Sequence, residues 1–148
     1  MKKALIVVAI FLADLSTFAY AEQPLDALQK SIEKSISILN DPIYRDTTQK
    51  DTQRQRLWEV LKKSFDFKEF SRRILATNWL KFTPHQRKEF TELFAKFVKV
   101  YYLTRLQDKY NNEKVIFVSQ NIISYSKAVV QVKVLWKNQE VPVEIKMV

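Results

Sequence analysis

The chain has 148 residues and a formal net charge of +9, from 25 lysines and arginines against 16 aspartates and glutamates. It contains no cysteine and no glycine, which excludes disulfide bonds and the glycine-rich loops that bind phosphates or dinucleotides. With no cysteine and a single histidine, a zinc site of the usual kind is nearly excluded as well.

The first 21 residues have the layout of a secretory signal peptide. A short basic start precedes a mostly apolar run from Ala4 to Leu15, and Ala19-Tyr20-Ala21 is a small-x-small cleavage site. The run is too short to cross a hydrocarbon core of about 30 Å, and Asp14 interrupts its end. We therefore predict export, cleavage after Ala21, and a single mature domain over residues 22–148.

Export changes the meaning of the charge. Removing Lys2, Lys3 and Asp14 leaves 23 basic and 15 acidic residues, a net charge of about +8. Outside the cytoplasm the abundant polyanions are membrane surfaces, so this excess favours anionic lipid over nucleic acid as a partner. The alternative is that basic charges spread over solvated faces only confer solubility.

The first half of the mature chain predicts helices. A stripe with spacings of three and four residues runs from Leu25 to Leu39, and Asn40-Asp41-Pro42 ends that helix. A polar stretch from Arg45 to Gln55 either links to the next helix or begins it exposed, and that helix meets a core at Leu57, Trp58, Val60 and Leu61.

Two further helix starts are marked by local capping patterns. Asp66 is a good N-cap, Glu69 can complete a capping box, and Phe65 and Phe70 can form a hydrophobic staple. That helix is expected to run towards Trp79. Thr83, Pro84 and Gln86 then open a long helix that ends near Tyr110-Asn111-Asn112, with an apolar side formed by Phe90, Leu93, Phe94, Phe97, Val98, Tyr101 and Leu106.

The last third predicts strands. Val115 to Val118 and Asn121 to Tyr125 read as two short strands, and two alternating runs, Ala128–Trp136 and Val141–Val148, read as an antiparallel hairpin around residues 137–140. Helices followed by an antiparallel sheet make an α+β domain.

The candidate catalytic groups are few. His85, the only histidine, would need a nucleophile or a carboxylate beside it to act as a general base, and the nearby Glu89 and Glu92 are interpreted as ordinary helix-face residues. Asp66 with Glu69 is better explained by capping. We therefore predict that the chain is not an enzyme.

Two features have both a structural and a functional interpretation. Arg72 and Arg73 point roughly 100° apart on a helix; each covers surface with its stem, or one of them meets a phosphate at the mouth of a pocket. The aromatic stripe of the long helix is ordinary core or the wall of a cavity.

An ordered set of motifs resembles the MlaC family of periplasmic phospholipid-binding proteins, also called the toluene-tolerance family. The resemblance covers roughly residues 25–148 and rests on Phe65-Asp66-Phe67-Lys68-Glu69-Phe70-Ser71-Arg72-Arg73-Ile74-Leu75, Trp79, Thr83-Pro84-His85-Gln86-Arg87-Lys88-Glu89-Phe90, Leu93-Phe94 and Tyr102-Leu103-Thr104-Arg105-Leu106.

The resemblance implies an α+β carrier whose helices pack on an antiparallel, NTF2-like curved sheet and enclose a cavity for acyl tails. It implies a phospholipid as cargo, no other cofactor, no nucleic acid, and carriage in the periplasm between an outer-membrane lipoprotein–porin complex and an inner-membrane ABC transporter complex, which maintains outer-membrane lipid asymmetry. Candidate headgroup residues are Arg72 and Arg73, and candidate wall residues are Ile74, Trp79, Phe90, Phe94, Phe97, Val98, Tyr101, Val130, Val132, Val134 and Trp136.

The sequence departs from the family pattern at two places. Ala76 stands where many relatives carry glycine, which is expected to strengthen the helix. Relatives also continue past the hairpin, so the sequence is expected to be a fragment or a truncated gene product, with Val141–Val148 as an unprotected edge strand. The alternative to a carrier is a basic periplasmic module that docks on a membrane complex or an anionic bilayer without cargo.

Overall fold

A computed structural model describes residues 22–148, and the predicted signal peptide lies outside these residues. Within these residues, five α-helices precede a three-stranded antiparallel sheet, which confirms the α+β class. The helices are α1 (Pro24–Asn40), α2 (Lys50–Ser64), α3 (Phe67–Leu75), α4 (Pro84–Phe97) and α5 (Leu103–Lys109), and the strands are β1 (Lys114–Ser124), β2 (Lys127–Trp136) and β3 (Gln139–Met147).

The polar stretch after α1 forms two short 3₁₀ turns, Pro42–Arg45 and Thr47–Gln49, before α2 begins. Gln53, a buried residue of α2, forms hydrogen bonds to both α1 and α5. Its Nε2 donates to the carbonyl of Ile38 at 3.0 Å, and its Oε1 accepts from Gln107 Nε2 at 2.8 Å. Both ends of a buried amide are thus satisfied, as burial of such a group requires.

The start of α3 follows its local signals in part. The Asp66 carboxylate accepts from the Glu69 amide at 2.8 Å, and the rings of Phe65 and Phe70 lie 5.0 Å apart as a staple. The prediction that the Glu69 side chain accepts from the Asp66 amide is wrong, because the Glu69 carboxylate accepts from Arg72 and Arg73 instead. A guanidinium gives a charge-assisted hydrogen bond, which is stronger than one from a neutral amide.

The end of α3 overturns two expectations. The helix stops at Leu75, and a 3₁₀ turn, Ala76–Lys81, leads to Phe82. Ala76 has φ 46° and ψ −121°, so it ends the helix in a backbone region that favours glycine. The alanine therefore strains the end of α3 where a stronger helix was expected.

The long helix is not continuous. Its start is confirmed, because the Thr83 hydroxyl accepts from the Gln86 amide at 3.2 Å and the Gln86 side chain accepts from the Thr83 amide at 2.9 Å. A π-helical turn, Val98–Tyr102, then separates α4 from α5, and within it the Leu103 amide bonds to the Val98 carbonyl five residues earlier. Because a π turn holds more residues than an α-helical turn, the apolar residues of α5 are rotated about the helix axis relative to those of α4. The sequence pattern did not predict this rotation.

The sheet has the strand order β1-β2-β3, so β2 is central and β3 is an edge strand of the sheet, as expected. The two short strands predicted from 115 to 125 are one strand, because register shifts between Phe117 and Ser119 and between Ile122 and Ser124 absorb the break in alternation. Lys137 and Asn138, with φ 48° and 61°, form the two-residue turn between β2 and β3.

Few apolar side chains are buried in the described part of the chain. Among residues 22–148 they are Leu57, Val60, Trp79, Leu103, Ala128, Val130 and Val132. At one end the layers are joined by Gln120 of β1, whose Oε1 accepts from the Leu25 amide at 2.9 Å and whose Nε2 donates to Gln23 Oε1 at 3.1 Å. Much of the remaining apolar surface between helices and sheet faces open space.

Candidate functional site

A cavity of about 1040 Å³ lies between the sheet and the helices α1, α2 and α3, and it is partly open to solvent. Its volume is slightly above the range of about 300–1,000 Å³ usual for small-molecule sites. The cavity is the candidate functional site.

The helical wall comes mainly from the stripe of α1. Side chains spaced three and four residues apart point the same way from a helix, so one face of α1 is apolar over its whole length. None of these side chains is fully buried, because the stripe faces the cavity rather than a packed layer. The members of this wall, completed by the end of α2 and the start of α3, are Leu28, Ile32, Ile36, Leu39, Leu61, Phe65 and Phe70.

The sheet supplies the opposite wall. Val115 of β1, Val134 of β2 and Ile145 with Met147 of β3 line the cavity. Alternate residues of a strand share one face, and the register pairs Val115 with Val134, so these side chains present one continuous apolar surface. Leu106 and Tyr110 contribute from the end of the helical layer.

Charged groups lie around the same cavity. They are Lys63, Asp66, Glu69, Arg73, Glu113, Glu144 and Lys146. Glu69 accepts from Arg72 Nε at 2.7 Å and Arg73 Nε at 2.8 Å. Hydrogen bonds from Arg72 and then Arg73 lower the pKa of Glu69 to about 2, so it is a carboxylate at neutral pH and holds Arg73 at the cavity.

Of the residues predicted for the site, Arg73 and Val134 line this cavity. Arg72 lies outside the lining but shares Glu69 with Arg73. Val130 and Val132, on the same sheet face as Val134, are buried in the core. Trp136 is half-exposed at the end of β2, where the Lys137 ammonium lies 4.6 Å from its ring centre.

The predicted helical wall residues are outside the lining of the cavity. Trp79 is buried beneath the Arg87 guanidinium, and Phe90 contacts Phe82 edge-to-face at 6.3 Å. Phe94 stacks on Phe70 at 5.5 Å. Ile74, Phe97, Val98 and Tyr101 are also outside the lining. That these residues contact lipid stays a prediction.

The main wall that the sequence reasoning missed is the stripe of α1. The sequence predicts an apolar face on this helix, but periodicity does not tell whether such a face meets a packed layer or a cavity. The signal that could have raised the question is the length of the stripe, which runs along all of α1, a helix of 17 residues.

Among residues 22–148, no group of three or more histidine, cysteine or acidic side chains could hold a metal ion. Over the same residues, none of the helices combines the length and the apolar character needed to span a bilayer.

Comparison with solved structures identifies a similar fold. A phospholipid-binding protein from Ralstonia solanacearum, solved in complex with a phospholipid, superposes with a TM-score of 0.61 at 14% sequence identity. The match covers 81% of this chain and 67% of that one. No functionally curated protein matches the sequence at a significant level.

The sequence itself matches a family model. The model is that of the MlaC protein, and it matches residues 29–148, which is most of the chain. Of the residues that line the cavity, all but Leu28 lie within this match. The motifs around α3 and α4, the α+β fold and the family model agree, and the chain belongs to the MlaC family.

Proposed function

We propose that the protein binds a phospholipid, with the acyl tails in the cavity between α1 and the sheet. The observation that carries this proposal is the cavity itself: about 1040 Å³ with apolar walls from a helix and a sheet, and with charged side chains around it. The phospholipid in the structurally similar Ralstonia solanacearum protein supports the same conclusion.

Burial of the tails would supply the binding energy. Each methylene removed from water contributes about 0.8 kcal/mol, so a two-tailed lipid crosses water only when most of its chain length is covered. The α1 wall and the sheet wall offer hydrocarbon on opposite sides of the cavity, which is the arrangement that flexible tails require.

The headgroup phosphate would bind at the α3 side of the cavity. Arg73 lies there, and a guanidinium can donate two parallel hydrogen bonds to a phosphate. Because Glu69 already accepts from Arg72 and Arg73, we expect the phosphate to compete with Glu69 for Arg73.

We propose further that the protein is exported and carries lipid through the periplasm, without catalysis and without a cofactor other than its cargo. Its partners would be an outer-membrane lipoprotein–porin complex and an inner-membrane ABC transporter complex, and the carriage would maintain outer-membrane lipid asymmetry. Membership of the MlaC family supports this part of the proposal.

The test measures cargo directly. Native mass spectrometry of the purified mature protein, followed by solvent extraction, should find phospholipid bound to the wild type. Ile36→Trp adds an indole to the cavity wall and should remove most of this lipid, because the indole occupies volume that the tails need. Lys34→Trp, on the exposed side of the same helix, is the matched control and should retain the lipid.

Two results would contradict the proposal. A wild type that carries no lipid, while it binds a membrane complex or an anionic bilayer, would identify the docking module without cargo. Full retention of lipid by Ile36→Trp, with the variant still folded by circular dichroism, would show that the cargo is held somewhere other than this cavity.

A further inference from the structure

The helical layer carries a second apolar region, outside the cavity, which we call the aromatic surface. It comprises Leu93, Phe97, Val100, Tyr101 and Tyr102, each between 44% and 60% exposed. None of these residues lines the cavity. A surface of this kind on a soluble domain indicates an interaction site.

The π-helical turn brings the aromatic rings together. Phe97 stacks on Tyr101, four residues later, at 5.1 Å, and contacts Tyr102, five residues later, edge-to-face at 5.6 Å. An α-helix aligns residues four apart, whereas the wider π turn also aligns residues five apart. The turn therefore places two adjacent tyrosines beside one phenylalanine.

Basic residues accompany the aromatic surface. Between Glu92 and Asp108 the chain has three basic residues and no acidic one. Of the three, Lys99 points to α2, where its ammonium lies 5.8 Å from the Trp58 ring centre, which leaves Lys96 and Arg105 beside the aromatic surface. The Arg105 guanidinium lies 5.4 Å from the Tyr101 ring centre and donates to the Tyr101 hydroxyl at 2.6 Å. Lys96 is exposed on α4, the helix that also carries Leu93 and Phe97.

We propose that the aromatic surface docks the protein on a bilayer that contains anionic phospholipid. Tyrosine rings are favoured at the level of the lipid headgroups, and neighbouring lysine and arginine side chains are attracted to anionic lipid. The charge also argues against a second copy as the occupant, because two such surfaces would place their basic residues against each other. Docking at this surface does not require cargo in the cavity.

The experiment is flotation of the mature protein with vesicles of phosphatidylcholine alone or mixed with phosphatidylglycerol. Wild type should float with the mixed vesicles only, and rising ionic strength should weaken its binding because salt screens surface charges. Lys96→Glu should weaken binding by roughly five- to tenfold. Lys127→Glu on β2 makes the same change in net charge away from the surface and should have a much smaller effect.

A second pair of variants tests the apolar contribution. Val100→Ser should weaken binding to mixed vesicles, whereas Val118→Ser on β1 should leave it unchanged; the two valines are 56% and 50% exposed. Ile36→Trp, which fills the cavity, should still float with mixed vesicles. This separates failure of cargo binding from failure of docking.

Three outcomes would overturn the docking proposal. Equal binding to neutral and mixed vesicles, or equal losses from Lys96→Glu and Lys127→Glu, would remove the role of this surface. A Val100→Ser variant that changes the oligomeric state without changing vesicle binding would assign the surface to a second copy. Loss of flotation in folded Ile36→Trp would assign the vesicle binding to the cavity.

Discussion

At the scale of single residues, Ala76 has a strained backbone conformation. Its φ of 46° and ψ of −121° lie where a β-carbon collides with the backbone, and its side chain is exposed, so packing does not compensate. A non-glycine residue held in such a region costs of the order of 1–3 kcal/mol.

We therefore expect Ala76→Gly to raise the free energy of unfolding by about 1 kcal/mol, since relief of strain exceeds the added entropy of the unfolded chain. Urea denaturation followed by circular dichroism measures the change. Ala27→Gly, within α1, is the opposite control and should lower the free energy of unfolding by about 1 kcal/mol. If Ala76→Gly lowers it as well, the positive φ at residue 76 is wrong.

At the scale of elements, capping chemistry was predictable from the sequence because it is local. Thr83 with Gln86 and the amide of Glu69 with Asp66 form the expected bonds within three residues of chain. The second half of the Asp66 box was not predictable, because Arg72 and Arg73 compete for Glu69 one turn later. The π turn after Phe97 was also not predictable, because the search for an apolar helix face assumes the α-helical period of 3.6 residues throughout.

The ion network of α3 gives a prediction with a defined pH dependence. Arg72 and Arg73 lower the pKa of Glu69 from 4.5 to about 2, so the folded state binds its proton less readily than the unfolded state. The stabilisation is therefore fully present above pH 4.5 and is lost as the pH falls towards 2.

Glu69→Gln should accordingly have a lower thermal midpoint than wild type at neutral pH, and the difference should shrink as the pH falls from 4.5 towards 2. Thermal melts across this range provide the measurement. Glu89→Gln on α4 removes a carboxylate that belongs to none of the ion pairs of residues 22–148, and it should follow the wild type. A gap between Glu69→Gln and wild type that stays constant down to pH 2 would disprove the network.

At the scale of the whole molecule, the order of helices and hairpin was predictable, but the position of the cavity was not. The α1 stripe and the β2 alternation identify which side chains are apolar, and each belongs to a separate local pattern. Whether Ile32 meets Val134 across open space, or Phe94 meets it in a packed core, depends on how the two layers lie on each other. Local periodicity carries no information about that distance.

β3 is one of the two edge strands of the sheet that residues 22–148 form. Pro142 lies opposite Lys133 in this edge strand, and proline cannot donate a backbone hydrogen bond to an incoming strand. We expect Pro142→Val to increase self-association, because it restores a donor and a β-branched side chain to the edge. Sedimentation velocity over a range of concentrations measures the effect.

The matched control is Pro42→Val, which makes the same exchange in the turn after α1, outside the sheet. It should sediment as the wild type does. If Pro142→Val also sediments as the wild type at every concentration, Pro142 is not what prevents self-association through the β3 edge.

The bond between the Leu25 amide and Gln120 has a consequence for amide hydrogen exchange. Amides in the first turn of a helix have no carbonyl partner in that helix and normally exchange with solvent quickly. The Leu25 amide instead donates to a side chain of the sheet, so its protection lasts only while α1 and β1 stay together. Its exchange rate therefore reports how often the two layers separate, and a ligand that holds them together should slow this one amide within a helix end that otherwise exchanges freely.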